Sequence, residues 1–488
     1  MEHKGPKQIG RPLIFKLVSS LVILLVTLNG LSLTASAQGF NWIFGSQLAE
    51  EKQLTDEDIA LITEIYEAIQ LNYIEEVDKE VLLEGALKGM VDALGDPNSE
   101  YLNSQETFDL DDSLTGSFEG IGVQFMQLDG EVTVISPIAD TPADKAGIQP
   151  NDVIIAADGV ELTGMDTNEV VSLIRGPVDS EIELTIKRGT ATFDVTLVRA
   201  SIPLITVLSE VDEADPTVGL ITITQFAGNT AEELVTEVES LRKEGVTHFV
   251  FDLRYNPGGL LDQALVLSNM FLEDGDMMMQ VDERAVGEVF QYVADDKQFG
   301  DFQITEPYVV LVNEGSASAS EILAAAIQEN TDFPILGETS FGKGTVQNIT
   351  NESSIGELKL TIAKWLTPSG EWINEVGIEP DQVIKAEAIR TAILLDVEDE
   401  LRVGESSEFI ESLSVMLDAL DYEVTVGPSF DQTMEEAVKA FQTDHDLETD
   451  GIVTGDTAHA LNEAAREYTE AHDFQYDEAK KVLLGLPE

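Results

Sequence analysis

The chain has 488 residues, of which 43% are hydrophobic and 24% charged, and it contains no cysteine. At roughly 100–200 residues per domain it holds three or four domains with ample core, and disulfides, thiolate metal sites and a cysteine nucleophile are excluded. The 27 Lys+Arg against 92 Asp+Glu give a net charge of -65, which excludes nucleic acid as a partner and a polybasic dock on anionic lipid.

The acidic residues run along the whole chain, as on a solvated surface suited to a saline setting. Their repulsion reaches about 30 Å at 0.01 M salt and about 3 Å at 1 M. Folding concentrates this charge, so screening favours the folded state. The melting temperature is therefore expected to rise appreciably between low salt and 1 M NaCl, followed by circular dichroism. An unchanged or falling value would contradict electrostatic strain on this surface. Sulfate would blur the test, because it also strengthens apolar burial.

Residues 1–37 read as an address. Lys4, Lys7, Arg11 and Lys16 precede an apolar run from Leu17 to Leu28, and Ala35-Ser36-Ala37 follows. This is the order of a secretory signal cut after Ala37. The span Leu13 to Leu33 is also nearly long enough for a retained membrane anchor. Both readings export the rest of the chain, to the cell envelope or beyond. Cleavage would leave 23 basic and 91 acidic residues. An exported chain without disulfides suits a Gram-positive envelope.

Residues 50–114 form a helical region. Ile59, Ile62, Ile65, Tyr66 and Ile69, then Val81, Leu82, Ala86, Leu87 and Val91, recur at helical spacing over 54–94. Thr55 caps the first helix and Gly95-Asp96-Pro97 closes the second. Such a hairpin with apolar faces serves packing or oligomerisation.

From 115 to 200 the pattern changes to short strands at 122–126, 132–135, 153–157, 182–187 and 192–198, with helical turns at 145–146 and 168–175. Gly120-Ile121-Gly122-Val123 followed by Ala146-Gly147-Ile148-Gln149-Pro150-Asn151-Asp152 resembles a PDZ domain. The resemblance implies that backbone N–H groups of the Gly-Ile-Gly loop receive a chain-terminal carboxylate, and that the next strand pairs with a peptide tail.

Residues 201–390 alternate strands (218–224, 248–253, 308–312, 333–336) with helices (231–241, 320–330), an α/β unit. Three stretches carry unusual residues. Asp252-Leu253-Arg254-Tyr255-Asn256-Pro257-Gly258-Gly259 turns sharply after a strand and offers N–H groups suited to an oxyanion. Asn313-Glu314-Gly315-Ser316-Ala317-Ser318-Ala319-Ser320-Glu321 joins a strand to a helix. Serines at a helix start often cap it, but one placed there as nucleophile gains from the helix dipole. Gly337-Glu338-Thr339-Ser340-Phe341-Gly342-Lys343-Gly344-Thr345-Val346-Gln347 is no phosphate loop, since Gly344 stands where Ser or Thr is needed. A buried lysine there would lose its proton readily and act as a base. The one histidine in the body of the chain, His248, sits in an apolar strand, and His445, His459 and His472 lie in the tail. A Ser-His-Asp triad is poorly supplied, which leaves a Ser–Lys dyad.

Together with Asp96-Pro97-Asn98-Ser99-x-Tyr101, Gly116-Ser117-Phe118-Glu119-Gly120 and Gly377-Ile378-Glu379-Pro380-Asp381, these stretches resemble the carboxyl-terminal processing (tail-specific) serine proteases over roughly 55–390. The resemblance implies Ser318 as nucleophile, Lys343 as general base and Gln347 as the residue that orients the lysine. It implies an oxyanion hole from Gly258, Gly259 and Ala319. Gly120, Ile121, Gly122 and Val123 would bind the tail, with Arg175 at the end of the PDZ helix linking that domain to the core. Asp179 stands where the family often has glycine. A PDZ scaffold with a dead protease core is the competing class, and intact Ser318, Lys343 and Gln347 argue against it.

Residues 405–470 resemble a small three-helix peptidoglycan-binding domain through Val415, Leu417, Leu420, Thr433, Ala437-Val438, Phe441-Gln442 and Asp450-Gly451-Ile452-Val453; Phe430 stands near that class's Asp-Gly-x-Phe-Gly site. The expected fold is thus multidomain α+β: a helical N-terminal hairpin, a β-sandwich-like PDZ domain, an α/β Ser–Lys protease core and a three-helix C-terminal domain. The expected activity is an endopeptidase working through an acyl-enzyme, without metal or cofactor. Its expected partners are the C-terminal tails of proteins, peptidoglycan and a second copy of the chain, with no nucleic acid.

Overall fold

The computed structural model describes residues 53–485 except 129, 285 and 354–355, so the expected signal or anchor lies outside the described residues. Among the described residues no helix is long and apolar enough to cross a membrane. The chain divides into two units, residues 1–83 and 84–488.

In the first unit Asp56–Asn72 is a helix, closed at its start by a capping box between Thr55 and Asp58. It buries none of its residues, and Ile59, Leu61, Ile62 and Ile65 are all more than half exposed. The second helix, Lys79–Asp92, buries only Val91.

Within the second unit the expected PDZ strands are present as one sheet. Its order is Val123–Leu128, Glu131–Pro137, Val153–Ala157, Glu181–Arg188, Ala191–Val198. Alternate residues such as Ile182, Leu184 and Ile186 point into a core shared with Val170 and Ile174 of the helix Thr167–Ile174. Asp179 has φ +66°, a left-handed conformation that explains a preference for glycine there. A two-stranded ribbon, Ser117–Gly120 against Ala200–Pro203, pairs the chain where it enters and leaves this domain.

The core sheet has the order Val207–Val211, Val218–Ile223, His248–Asp252, Tyr308–Val312, Ile335–Gly337, Gln382–Val383. All neighbours are parallel except the first pair. Every residue of Tyr308–Val312 is buried, as expected of a strand covered on both faces. Phe249, Phe251, Tyr308 and Val310 face the helices Thr230–Glu244, Leu261–Asn269 and Ala319–Asn330. Val250, Val309 and Leu311 face the other way, onto the last helix, Phe474–Leu484.

That last helix lies beyond the expected tail domain and belongs to the core. A second, antiparallel sheet is likewise an addition to the expected elements: Glu100–Asn103, Gly356–Leu366, Met277–Glu283 and Glu288–Val293, with Thr345–Ser353 also paired to Gly356–Leu366. The tail forms the three expected helices, Glu408–Ala419, Gln432–Asp444 and Gly455–Ala471, around their own core. Buried Gln442 accepts from Gly451 N–H and donates to Asp450, fixing the Asp-Gly turn. Phe430 is 2% exposed and is a core residue of this domain.

Candidate active site

The strand Tyr308–Val312 runs into the serine loop, and Ser318 is the N-cap of the helix Ala319–Asn330 with φ 55° and ψ -109°. A non-glycine residue at positive φ is strained and persists only where its surroundings hold it. They do so closely. Ala317 N–H donates to Asn256 O at 2.9 Å. Ser316 Oγ donates to Leu253 O at 2.8 Å, and Ser320 Oγ to Asn256 O at 3.0 Å. Ser316 and Ser320 are fully buried and occupied in this way. Ser318 is the member of the triplet that lines a cavity of about 680 Å³.

The same cavity is lined by Gly258, Gly259, Ala319, Lys343 and Gln347, so the six residues expected of the catalytic centre come together from three loops. No histidine is among its lining residues. Lys343 leaves the core sheet in a glycine-flanked loop pinned by two tryptophans: Trp365 Nε1 donates to Lys343 O at 2.7 Å and Trp372 Nε1 to Gly344 O at 2.8 Å. Its ammonium nitrogen has no hydrogen bond or ion pair among the described residues. Burial holds its pKa below the usual lysine range, and nearby Lys359 pushes the same way; Asp96, Glu100 and Glu321 oppose. Lys359 also lines the cavity but is paired with Glu100 at 2.7 Å. Gln347 donates through Nε2 to Thr345 Oγ1 at 2.9 Å and Thr361 Oγ1 at 3.2 Å, which leaves its amide oxygen unengaged.

The Pro-Gly-Gly turn must be glycine for steric reasons. A Cβ on Gly258 (φ +97°) would lie 2.6 Å from Ala317 O and 2.8 Å from Ser318 Cβ, and one on Gly259 (φ +146°) 2.1 Å from Phe226 O. Gly258 N–H is already spent on Asn256 Oδ1 at 2.9 Å. The N–H groups of Gly259 and Ala319 make no hydrogen bond among the described residues, and both residues line the cavity.

One residue without an expected role stands out. Glu321 is fully buried, and its two oxygens accept four bonds. Oε2 takes the N–H groups of Ser318 and Lys343, both at 2.8 Å. Oε1 takes Gly342 N–H and the Ser340 hydroxyl, both at 2.6 Å. A single carboxylate thus ties the backbone of Ser318 to the backbone of Lys343. Burial pushes its pKa up, and the donors from Ser340, Lys343, Gly342 and Ser318 pull it down without cancelling the rise.

In the PDZ domain Gly120, Ile121 and Gly122 are buried and lead into Val123–Leu128, an edge strand paired on one side only. Gly122 O accepts from Ile138 N–H at 2.9 Å and Thr141 Oγ1 at 3.1 Å, fixing the loop. Arg175 lies beside that loop, where a Cβ on Gly120 would come 3.9 Å from its Cγ. Its guanidinium pairs with Asp112 and lies 5.2 Å from the centre of the Phe118 ring. Asp112 belongs to the helix Ser104–Thr115, whose Leu110, Ser113 and Leu114 line the same cavity.

A buried, strained serine turn, a desolvated lysine and two open N–H groups on an α/β core beside a PDZ domain define a serine protease that processes carboxyl termini. The chain belongs to the carboxy-terminal processing proteases of Peptidase family S41. Residues 217–384 match that family, 133–188 a PDZ domain, 33–107 the N-terminal domain of the activating protease CtpB, and 406–461 a peptidoglycan binding domain. The chain is similar to the carboxy-terminal processing protease CtpA of Bacillus subtilis, at 38% identity over 95% of this chain and 97% of the relative. It is similar also to CtpB of the same organism, at 37% over 88% and 90%. Among solved structures the photosystem II D1 C-terminal processing protease is 27% identical over 68% of this chain and 94% of that one, with a TM-score of 0.39.

Proposed function

We propose that the protein is an exported endopeptidase in which Ser318 and Lys343 form the catalytic dyad. The observation that carries this reading is selective: of three serines two are buried as structural bonds and one lines the cavity, together with an amine that makes no ion pair among the described residues. Neutral Lys343 takes the hydroxyl proton while Ser318 Oγ bonds to the substrate carbonyl carbon. The oxyanion so formed accepts from Gly259 and Ala319 N–H; Gly258 contributes room. The C–N bond then breaks, the amine leaves with the proton from Lys343, and an ester to Ser318 remains. Water, deprotonated by Lys343, hydrolyses that ester. The free amide oxygen of Gln347 is suited to accept from the lysine and hold it.

The PDZ edge strand would take the substrate tail by strand addition, with its carboxylate at the Gly120–Gly122 loop. Arg175, through Asp112, joins that domain to a helix of the cavity wall. The C-terminal domain would hold the enzyme at peptidoglycan, and the uncovered apolar residues of the first helix support a dimer. A substrate with a free apolar C-terminus is expected to be cleaved at least tenfold faster than the same chain amidated, compared as kcat/KM. Equal rates would show that the groove does not read the carboxylate.

A further inference from the structure

The last helix does more than cover the sheet. Arg254, the third residue of the turn that ends in Gly258-Gly259, has a side chain only 7% exposed and is held from two directions. Its Nε and Nη2 donate to Asp252 at 2.9 Å and 2.6 Å, within its own strand end. Its Nη2 and Nη1 donate to the two oxygens of Asp473 at 2.7 Å and 3.0 Å, and Nη1 also donates to Gln475 Oε1 at 3.0 Å. A planar guanidinium held by two carboxylates in fork geometry is fixed in direction as well as in charge.

Asp473 and Gln475 are themselves anchored. Asp473 caps the helix Phe474–Leu484 by accepting Tyr476 N–H at 3.0 Å. Gln475 is 2% exposed and donates to Ile384 O, at the end of the core sheet, at 2.7 Å. Farther along, Tyr476 and Lys480 both donate to Asp212, at 2.9 Å and 2.8 Å. On the other side of Arg254, Tyr255 N–H donates to Asn313 Oδ1 at 2.8 Å, and Asn256 O receives Ala317 N–H and Ser320 Oγ. Arg254 therefore links the start of a helix 219 residues away in sequence to the turn packed against Ser318.

We infer that Asp473 and Gln475 are positioning residues for the oxyanion turn, acting through Arg254. The protease core is then complete only when the chain beyond the peptidoglycan-binding domain has returned to it. This domain hangs between two core anchors, Ile384 and Asp473. The inference rests on the dyad reading, and its test separates the two.

Asp473→Asn is the informative variant, because asparagine caps a helix as well as aspartate does while its amide cannot accept from both guanidinium nitrogens. In the full-length protein it is expected to lower kcat for a tail peptide at least tenfold, with KM within twofold and the far-ultraviolet spectrum unchanged. Asp473→Glu, which restores a two-oxygen acceptor, should recover part of that loss. Gln475→Leu should lower kcat in the same sense. Reaction with a fluorophosphonate, mapped by mass spectrometry, should slow in step with kcat. If wild-type protein is labelled at Ser318 and Asp473→Asn cleaves and labels at the wild-type rate, the positioning role is overturned and the dyad stands. If active wild-type protein is not labelled at Ser318, the dyad reading fails instead. A variant that melts lower but keeps wild-type kcat well below its melting temperature would also overturn the inference, leaving Asp473 a purely structural residue.

Discussion

Ser318→Ala is expected to lower kcat on a tail peptide by on the order of 10⁴–10⁶-fold, the scale seen when a nucleophile or its base is removed from a serine hydrolase. Ser316→Ala and Ser320→Ala should act differently. Ser320→Ala deletes one buried bond to a backbone carbonyl, worth about 1 kcal/mol, and Ser316→Ala also strips the buried Asn313 N–H of its acceptor, worth about 1–3 kcal/mol; both should keep measurable turnover. Lys343→Ala should be as inactive as Ser318→Ala, and so should Lys343→Arg, because a guanidinium keeps its proton. Lys343→Met adds a control: it puts an apolar chain of similar length in place of a desolvated ammonium that makes no ion pair among the described residues, and it should melt no lower than the parent. The sign of the pH dependence follows from the same site. Lys343 is competent when neutral, so kcat/KM rises with pH as its proton leaves. Burial holds its pKa below the ordinary value, so the rise falls below the ordinary lysine pKa of about 10.4. A flat profile from about pH 5 to 10 in folded enzyme would contradict a lysine base.

Glu321→Gln should be the most damaging substitution outside the dyad. Each carboxylate oxygen accepts two donors, one pair from Ser318 and Lys343 and the other from Gly342 and Ser340. With its NH₂ toward Ser318 and Lys343 the amide leaves both N–H groups without an acceptor; turned the other way it leaves Gly342 N–H without one, while the Ser340 hydroxyl can turn to accept from it. An unsatisfied buried donor costs about 1–3 kcal/mol, so a stability loss of at least that size is expected unless the loops separate. Separation moves Ser318 and Lys343 apart, and a misplacement of about 1 Å can cost on the order of 100-fold in rate. Thermal melting and kcat should therefore fall together. Retention of kcat within threefold would show that the clamp is not needed to align the two loops.

Much of this arrangement was legible in the sequence, because its signals are local. Pro257-Gly258-Gly259, the serine triplet and Gly342-Lys343-Gly344 each declare themselves within a few residues, and the steric demand on Gly258 and Gly259 explains why. Alternation along 182–187 and an unbroken apolar run at 308–312 placed the strands. Glu321 did carry a signal, since Ser318 and Glu321 have the spacing of a capping box. That pattern speaks of a helix start, however, and not of Gly342 and Lys343, 21 and 22 residues further on. Asp473 is more remote still from Arg254, and nothing near either residue announces the other. The antiparallel sheet was hidden for a related reason: Gly356–Leu366 finds partners in Glu100–Asn103 and Met277–Glu283, far away along the chain. The first helix shows the opposite limit. Its apolar periodicity was plain, yet among the described residues none of its side chains is buried.

The Ser318–Lys343 dyad predicts which single atom becomes acylated. Purified enzyme mixed rapidly with a slowly deacylating ester of a tail peptide, quenched in acid and mapped by mass spectrometry, should carry one acyl group, on Ser318. The yield per pulse should increase with pH and vanish in Lys343→Ala. An acyl group on Ser316, Ser320 or any other residue, or peptide cleavage at the wild-type rate by Ser318→Ala, would contradict the Ser318–Lys343 dyad.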